Sequence, residues 1–219
     1  SGLQGAFSPY HDPSIELPRF NPAQARALLE RSGWKSTSSG VRQKAGVPLE
    51  LRLIFVDEDE SRRAAVLIQN EEQKIGARVI LKAYTSTQIV ATRSQFGPLA
   101  TGSFDILFAN ILGYSGLLPR WWFFCASDYN ENPGHYCSRQ SEATYRAAMS
   151  AADPKLVKEN FDNLERIFAR DLAVVPLWQR VRVDVCRKDI AGCDSGQIPP
   201  TSSAYRLERL KTTPGEEKP

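Results

Sequence analysis

The sequence predicts an α/β fold: an open, mainly parallel or mixed sheet with helices on both faces. Three observations predict it. Helical and strand periodicities alternate in the order α-β-α-β-α-β between Asn21 and Ala109. The strand-like runs are short and apolar, as buried strands are. Two further helical stretches follow, so helices continue to separate the strands, which is the pattern of crossover connections.

Each element has its own signal. Residues 1–20 carry Pro9, Pro13 and Pro18 among scattered aromatics and read as an extended linker arm. Asn21-Pro22 supplies an N-cap and a proline at the first helical position; Ala25, Leu28 and Leu29 then recur at helical spacing until Gly33 ends the run before Trp34. After a polar, turn-rich stretch from Gly40 to Pro48, Leu49, Leu51, Leu53 and Phe55 alternate with Glu50, Arg52 and Ile54, predicting a strand with one buried face that ends near Val56. Asp57-Glu58-Asp59-Glu60 suits the positive end of a helix whose apolar stripe is Ala64, Ala65, Ile68 and Ile75, closed by Gly76. Val79-Ile80-Leu81 predicts the next strand, Thr85 to Gln95 a third helix, and, after a Gly/Pro/Gly loop, Phe104 to Ala109 a short buried strand. Helices are predicted again over Glu142 to Ala151 and, capped by Asp153-Pro154, over Lys155 to Arg170, with Val157, Phe161, Leu164 and Phe168 on one face. Val174 to Trp178 and the alternation Val181, Val183, Val185 predict one or two more strands, with Pro176 marking an edge or a crossing point. The tail 212–219 is polar and expected to be disordered.

Composition removes several function classes. The 219 residues are 42% hydrophobic and 24% charged, enough for one large domain or two small ones. Against 28 Lys and Arg stand 25 Asp and Glu, a net +3 too small and too dispersed to predict nucleic acid or an anionic membrane as partner. No apolar run approaches the roughly 20 residues that span a bilayer. The four cysteines form two local pairs, Cys125 with Cys137 and Cys186 with Cys193. Three connectivities are possible, the local one needing least chain rearrangement. Free buried thiols remain an alternative; zinc is the weakest reading, since no C-x-x-C occurs and the histidines are His11 and His135. Oxidised cysteines would place the protein outside the cytosol.

Catalytic motifs are scarce. G-x-S-x-G, H-E-x-x-H, a Walker loop and a dinucleotide fingerprint are all missing, and Gly113-Tyr114-Ser115-Gly116 falls one residue short of a nucleophile elbow. Asp57 to Glu60 read as a solvated helix start rather than as metal ligands. No catalytic residue, metal or cofactor is assigned. The informative segment is Asn110 to Trp122, which leaves the carboxyl end of the strand that closes at Ala109. Ligands of open α/β sheets bind outside such strand ends. Asn110, Tyr114, Ser115, Arg120, Trp121 and Trp122 are therefore the candidate ligand-binding residues, the alternative being that the aromatics simply plug the core.

From about Phe20 to Gly192 the order of motifs resembles the C-terminal half of the family-5 extracellular solute-binding proteins, which include the dipeptide-, oligopeptide- and nickel-binding proteins of ABC importers. Four stretches carry the resemblance: Phe20 to Leu29 with Ser32-Gly33-Trp34; Gly46 to Leu51; Ile68-Gln69 with Lys74 to Val79; and Val175 to Trp178 followed by Val181-Arg182-Val183. The resemblance implies a periplasmic-binding-protein-like (type II) lobe of a two-lobed clamshell: 21–173 as the ligand-binding lobe and 174–211 as hinge-crossing strands returning to a first lobe outside this sequence. Cys125 and Cys137 fall where some dipeptide-binding members carry a paired cysteine, which favours that bridge. The implied function is capture of a small solute, an oligopeptide or similar, outside the cytoplasmic membrane, and its delivery to ABC permease subunits. The implied protein is an exported monomer, attached to a membrane only through an anchor outside this sequence.

Two departures bear on the ligand. The family's acidic loop after this strand, whose carboxylate pairs with a peptide ammonium, has no counterpart here: Asn110 takes the place of the family's tryptophan, and no Asp or Glu occurs between Asn110 and Phe124. Glu71 and Glu72 stand where the family continues an apolar stripe. The alternative function is a ligand-sensing domain of a cytoplasmic transcriptional regulator built on the same module; oxidised cysteines count against it. A hydrolase on this scaffold lacks a nucleophile, base and orienting group.

Overall fold

The computed structural model describes residues 11–110, 125, 132, 134–178, 190–191 and 211–212. They divide into two compact units, one built from 18–111 and 120–143, the other from 1–17, 112–119 and 144–219.

The first unit opens with α1, Pro22–Arg31, whose N-cap Asn21 accepts a hydrogen bond from the Gln24 amide at 3.0 Å through its side chain. No α1 residue is buried, and Leu28 of the expected apolar stripe is half exposed. A hairpin then pairs β1, Gln43–Lys44, with β2, Val47–Pro48, where a turn-rich stretch was predicted. Its two central residues, Ala45 and Gly46, both have positive φ, the backbone twist that tight hairpins need.

β3, Glu50–Val56, is the middle strand of a parallel sheet of order β4-β3-β5. It pairs with β4, Arg78–Tyr84, from Glu50–Arg78 to Val56–Tyr84, and with β5, Ile106–Phe108, from Leu53–Ile106 to Phe55–Phe108. The expectation of one buried face is corrected: Leu53, Ile54 and Phe55 are all buried, because each face of β3 has its own cover. Leu53 and Phe55 pack with Ala65, Val79 and Phe108 on the side of α2, Asp59–Lys74; Ile54 packs with Ile89 and Leu99 on the other. A strand buried on both faces loses the clean alternation on which the reading rested.

The expected helix over 85–95 is also corrected. α3 covers only Ser86–Ile89, a 3-10 turn covers Arg93–Gln95, and α4, Pro98–Thr101, occupies the predicted loop. The sequence starts a helix twice: Thr85 and Gln88 cap each other's amides at 3.2 and 2.9 Å, and Gln95 accepts from the Thr92 amide at 3.3 Å. Gly97 lets the chain pass Ala91, whose carbonyl oxygen would lie 1.9 Å from a Cβ at that position.

α5, Arg139–Ser150, begins in the first unit and ends in the second, starting three residues before the predicted Glu142. In the second unit, α6, Pro154–Asp171, is capped by Asp153 and buries Phe161, Leu164, Ile167 and Phe168, and Tyr145 of α5 meets Phe161 edge-on with ring centroids 6.3 Å apart. Asp12 of the N-terminal stretch accepts a 3.0 Å hydrogen bond from Arg166 of α6. Val174 to Trp178, expected as strand, lies in none: Pro176 has no N–H to offer a ladder, and Val175, Leu177 and Trp178 are at least half exposed. Further on, β6, Ile190–Ala191, pairs antiparallel with β7, Lys211–Thr212. The predicted disordered tail 212–219 is corrected at its first residue, since Thr212 pairs with Ile190; its remainder and the predicted strand over Val181 to Val185 lie outside the described residues.

Candidate functional site at the carboxyl edge of the parallel sheet

The order β4-β3-β5 fixes where a ligand site belongs. The chain leaves β3 for β4 on one side, through α2, and then passes to the other side of β3 to form β5. The strand order thus reverses between β3 and β5, and ligands of open α/β sheets bind outside the carboxyl strand ends at such a switch point. The last β3–β5 pair is Phe55 with Phe108, and two residues further along each chain stand Asp57 and Asn110. Both are exposed.

Asp57 is held from two directions. Its amide donates to the Tyr84 carbonyl at 2.8 Å, adding one rung to the β3–β4 ladder, while its carboxylate accepts from the Arg62 guanidinium of α2. The Glu58 amide then turns back to the Val56 carbonyl at 2.8 Å, and α2 begins. At the third strand end, Tyr84 leads into the capping box of Thr85.

Of the predicted ligand-binding residues, Asn110 stands at this edge; Tyr114, Ser115, Arg120, Trp121 and Trp122 lie outside the described residues. Beyond that segment, Cys125 is held twice. Cys125 and Cys137 form a disulfide, with Cα atoms 4.5 Å apart, and the Cys125 amide donates to Glu142 of α5 at 3.4 Å. Within the loop that this bridge closes, the buried Asn132 donates to the Tyr136 carbonyl at 2.9 Å. Cys186 and Cys193 lie outside the described residues. Sequence reasoning grouped Asp57 with Glu58 to Glu60 as a helix start; the structure places it one residue past the central strand, before α2 begins.

At the base of β5, burial pushes the Asp105 carboxyl up, but hydrogen bonds from the side chain and amide of Arg52 outweigh it and hold the group below its ordinary value. This contact pins β5 to β3 at the amino end. A cavity of about 400 Å³ lies at that same end, lined by residues 39–41, Gln69, Gln73 and 77–79. Within its wall the Gln69 amide donates to the Val79 carbonyl at 2.8 Å. Among the described residues no three His, Cys, Asp or Glu side chains assemble as a metal-binding group. Nor is any helix among them long and apolar enough to cross a membrane.

The three-stranded parallel sheet with helical crossovers is shared by many α/β proteins; likeness to solved structures gives it as a type II periplasmic-binding-protein-like fold. The oligopeptide-binding protein of Thermus thermophilus, solved with a pentapeptide, superposes with a TM-score of 0.73 at 19% identity over 85% of this chain and 34% of its own. Residues 1–130 match the middle region of the bacterial extracellular solute-binding proteins, family 5, and the chain belongs to that family. It is 31% identical over 107 residues to the nickel-binding periplasmic protein of Escherichia coli K12, covering 48% of this chain and 19% of that one. To the oligopeptide-binding protein OppA of Mycobacterium bovis it is 25% identical over 172 residues, 78% of this chain and 28% of that one. The chain thus spans about a fifth to a third of the length of these relatives.

Proposed function

We propose that the protein is the substrate-binding component of an ABC importer, which captures a small solute, an oligopeptide or similar, outside the cytoplasmic membrane and passes it to permease subunits. The observation that carries this is the switch point at the carboxyl ends of β3 and β5, in a chain whose residues 1–130 match a family of extracellular solute-binding proteins. The names of the relatives support a binding role over catalysis. Residues 21–173 act as one lobe of a clamshell and 174–211 as strands crossing the hinge, and closure on the solute excludes water. The loop from Asn110 to Trp122 supplies hydrogen bonds from Asn110, Tyr114, Ser115 and Arg120 and an aromatic wall from Trp121 and Trp122. The protein works in the periplasm or at the outer surface, where the Cys125–Cys137 bridge is stable.

Native mass spectrometry of the mature full-length protein, purified without refolding and also digested without reductant, tests the reading. A co-purified small molecule together with a disulfide-linked Cys125–Cys137 peptide is the expected result. An empty protein with reduced cysteines would overturn it and favour the cytoplasmic sensor.

A further inference from the structure

The cavity at the amino end of the sheet has a wall with several hydrogen-bond donors and no carboxylate. One of these donors is a buried backbone group. β4 is an edge strand of the three-stranded sheet, and its ladder to β3 uses every second residue. The Arg78 amide donates to the Leu49 carbonyl at 2.9 Å, so the N–H and C=O of Val79 face away from β3. The Val79 carbonyl takes the Gln69 amide at 2.8 Å, but the Val79 N–H has no partner among the described residues, although Val79 is only 4% exposed. Buried backbone donors are rarely left in that state.

The other groups in the wall match this donor. Gln73 stands one turn after Gln69 on α2, and its carboxamide has no partner among the described residues. Arg78 is the one charged residue of the lining. Its guanidinium meets Glu50 at 3.5 Å, longer than a strong charge-assisted bond, and both side chains are exposed, so a competing anion displaces Glu50 at small cost. Val41, Ala77 and Val79 add an apolar surface, the last two buried. The volume of about 400 Å³ falls within the range of small-molecule sites.

The geometry points to a second binding site in this cavity, for a small organic carboxylate. The carboxylate accepts from the Arg78 guanidinium, the Gln73 carboxamide and the Val79 N–H, and its alkyl chain covers Val41 and Ala77. Inorganic phosphate suits the site less, since it sets up to two charges against one guanidinium and makes no use of the apolar surface. The site lies at the amino ends of the strands, away from the edge proposed to hold the solute, so it does not depend on that reading.

The test uses the full-length protein and three probes, butyrate, butyramide and inorganic phosphate. Saturation-transfer difference NMR reads the two organic probes, and competition against butyrate reads phosphate. Butyrate should bind at least about 10-fold more tightly than either of the others. Arg78→Gln should remove its advantage over butyramide, Glu50→Gln should preserve or raise it, and Val41→Trp, which fills the cavity, should abolish butyrate binding. The assignment is overturned if butyrate does not bind, or if butyramide or phosphate binds as tightly. It is also overturned if Arg78→Gln, folded by circular dichroism, keeps the advantage, or if folded Val41→Trp still binds butyrate. None of these outcomes touches the solute-capture reading, which the co-purified molecule tests separately.

Discussion

Arg42 shows how one side chain can tie distant segments together. It is 6% exposed, and its guanidinium donates to the Glu30 carboxylate and the Trp34 carbonyl, both at 2.7 Å, and to the Ile75 carbonyl at 2.9 Å. It thereby closes the ends of α1 and α2 onto the β1–β2 hairpin. Nothing in the turn-rich stretch from Gly40 to Pro48 announced this, because all three acceptors come from elsewhere in the chain. Arg42→Met should destabilise the protein by about 1–3 kcal/mol in urea unfolding, since two carbonyls lose their donor while the half-exposed Glu30 keeps Lys35 at 2.8 Å. Gly76 has φ +88°, and a Cβ there would lie 2.8 Å from Arg42 Cγ. Gly76→Ala should therefore cost about 1–3 kcal/mol, less in the Arg42→Ala background, where only the backbone strain remains. Of Glu71 and Glu72, a departure from the family pattern, Glu71 finds a partner and Glu72 is held at a cost. Glu71 pairs with Lys74 at 2.6 Å, while burial pushes the Glu72 carboxyl above its ordinary value. An acid with a raised folded pKa destabilises the fold once pH exceeds its unfolded pKa, and that penalty disappears in acid. Glu72→Gln should raise the melting temperature at pH 7 and have no effect below about pH 4; an unchanged melting temperature at pH 7 would refute this.

Among the elements, those with local stop and start signals were legible and those defined by neighbours were not. Asn21-Pro22 and Asp153-Pro154 placed α1 and α6 to within a residue or two, since an N-cap followed by proline acts within one turn. The burial of β3 on both faces was not legible, because it depends on α2 and on the α3–α4 crossover together. The break between α3 and the 3-10 turn was written in two Thr-x-x-Gln repeats, but a single apolar count over 85–95 hides it. Two predictions belong at this scale. The Cys125–Cys137 bridge closes a loop of sequence separation 12, and replacing both cysteines by serine should lower stability by about 3 kcal/mol on the chain-entropy account. The double variant should also lose the sensitivity of the melting temperature to reductant that this bridge confers. Side-chain and backbone hydrogen bonds from Ser14, with the charge of Arg166, hold the Asp12 carboxyl below its ordinary value. A depressed carboxyl stabilises above its unfolded pKa, and the contribution is lost as pH falls through the folded value. Limited proteolysis should cut the N-terminal stretch faster as pH falls from 5 to 3, and Asp12→Asn should flatten that dependence.

For the molecule as a whole, the class of fold could be read from the alternation of elements, and the site only in outline. Strand periodicity located the carboxyl end of β5, hence Asn110, but the order β4-β3-β5, which makes that end a switch point, is a long-range property. The exposed apolar residues Val175, Leu177 and Trp178 carry a strand-like composition without a strand. The central claim is that the solute binds across the carboxyl ends of the three parallel strands. Hydrogen exchange of the full-length protein, with and without the solute that native mass spectrometry identifies, tests this most directly. Solute-dependent protection at 56–58, 84–86 and 109–110 is the predicted result; protection confined to the amino-end cavity around Gln69, Gln73 and Arg78, or none in this unit, would contradict the account.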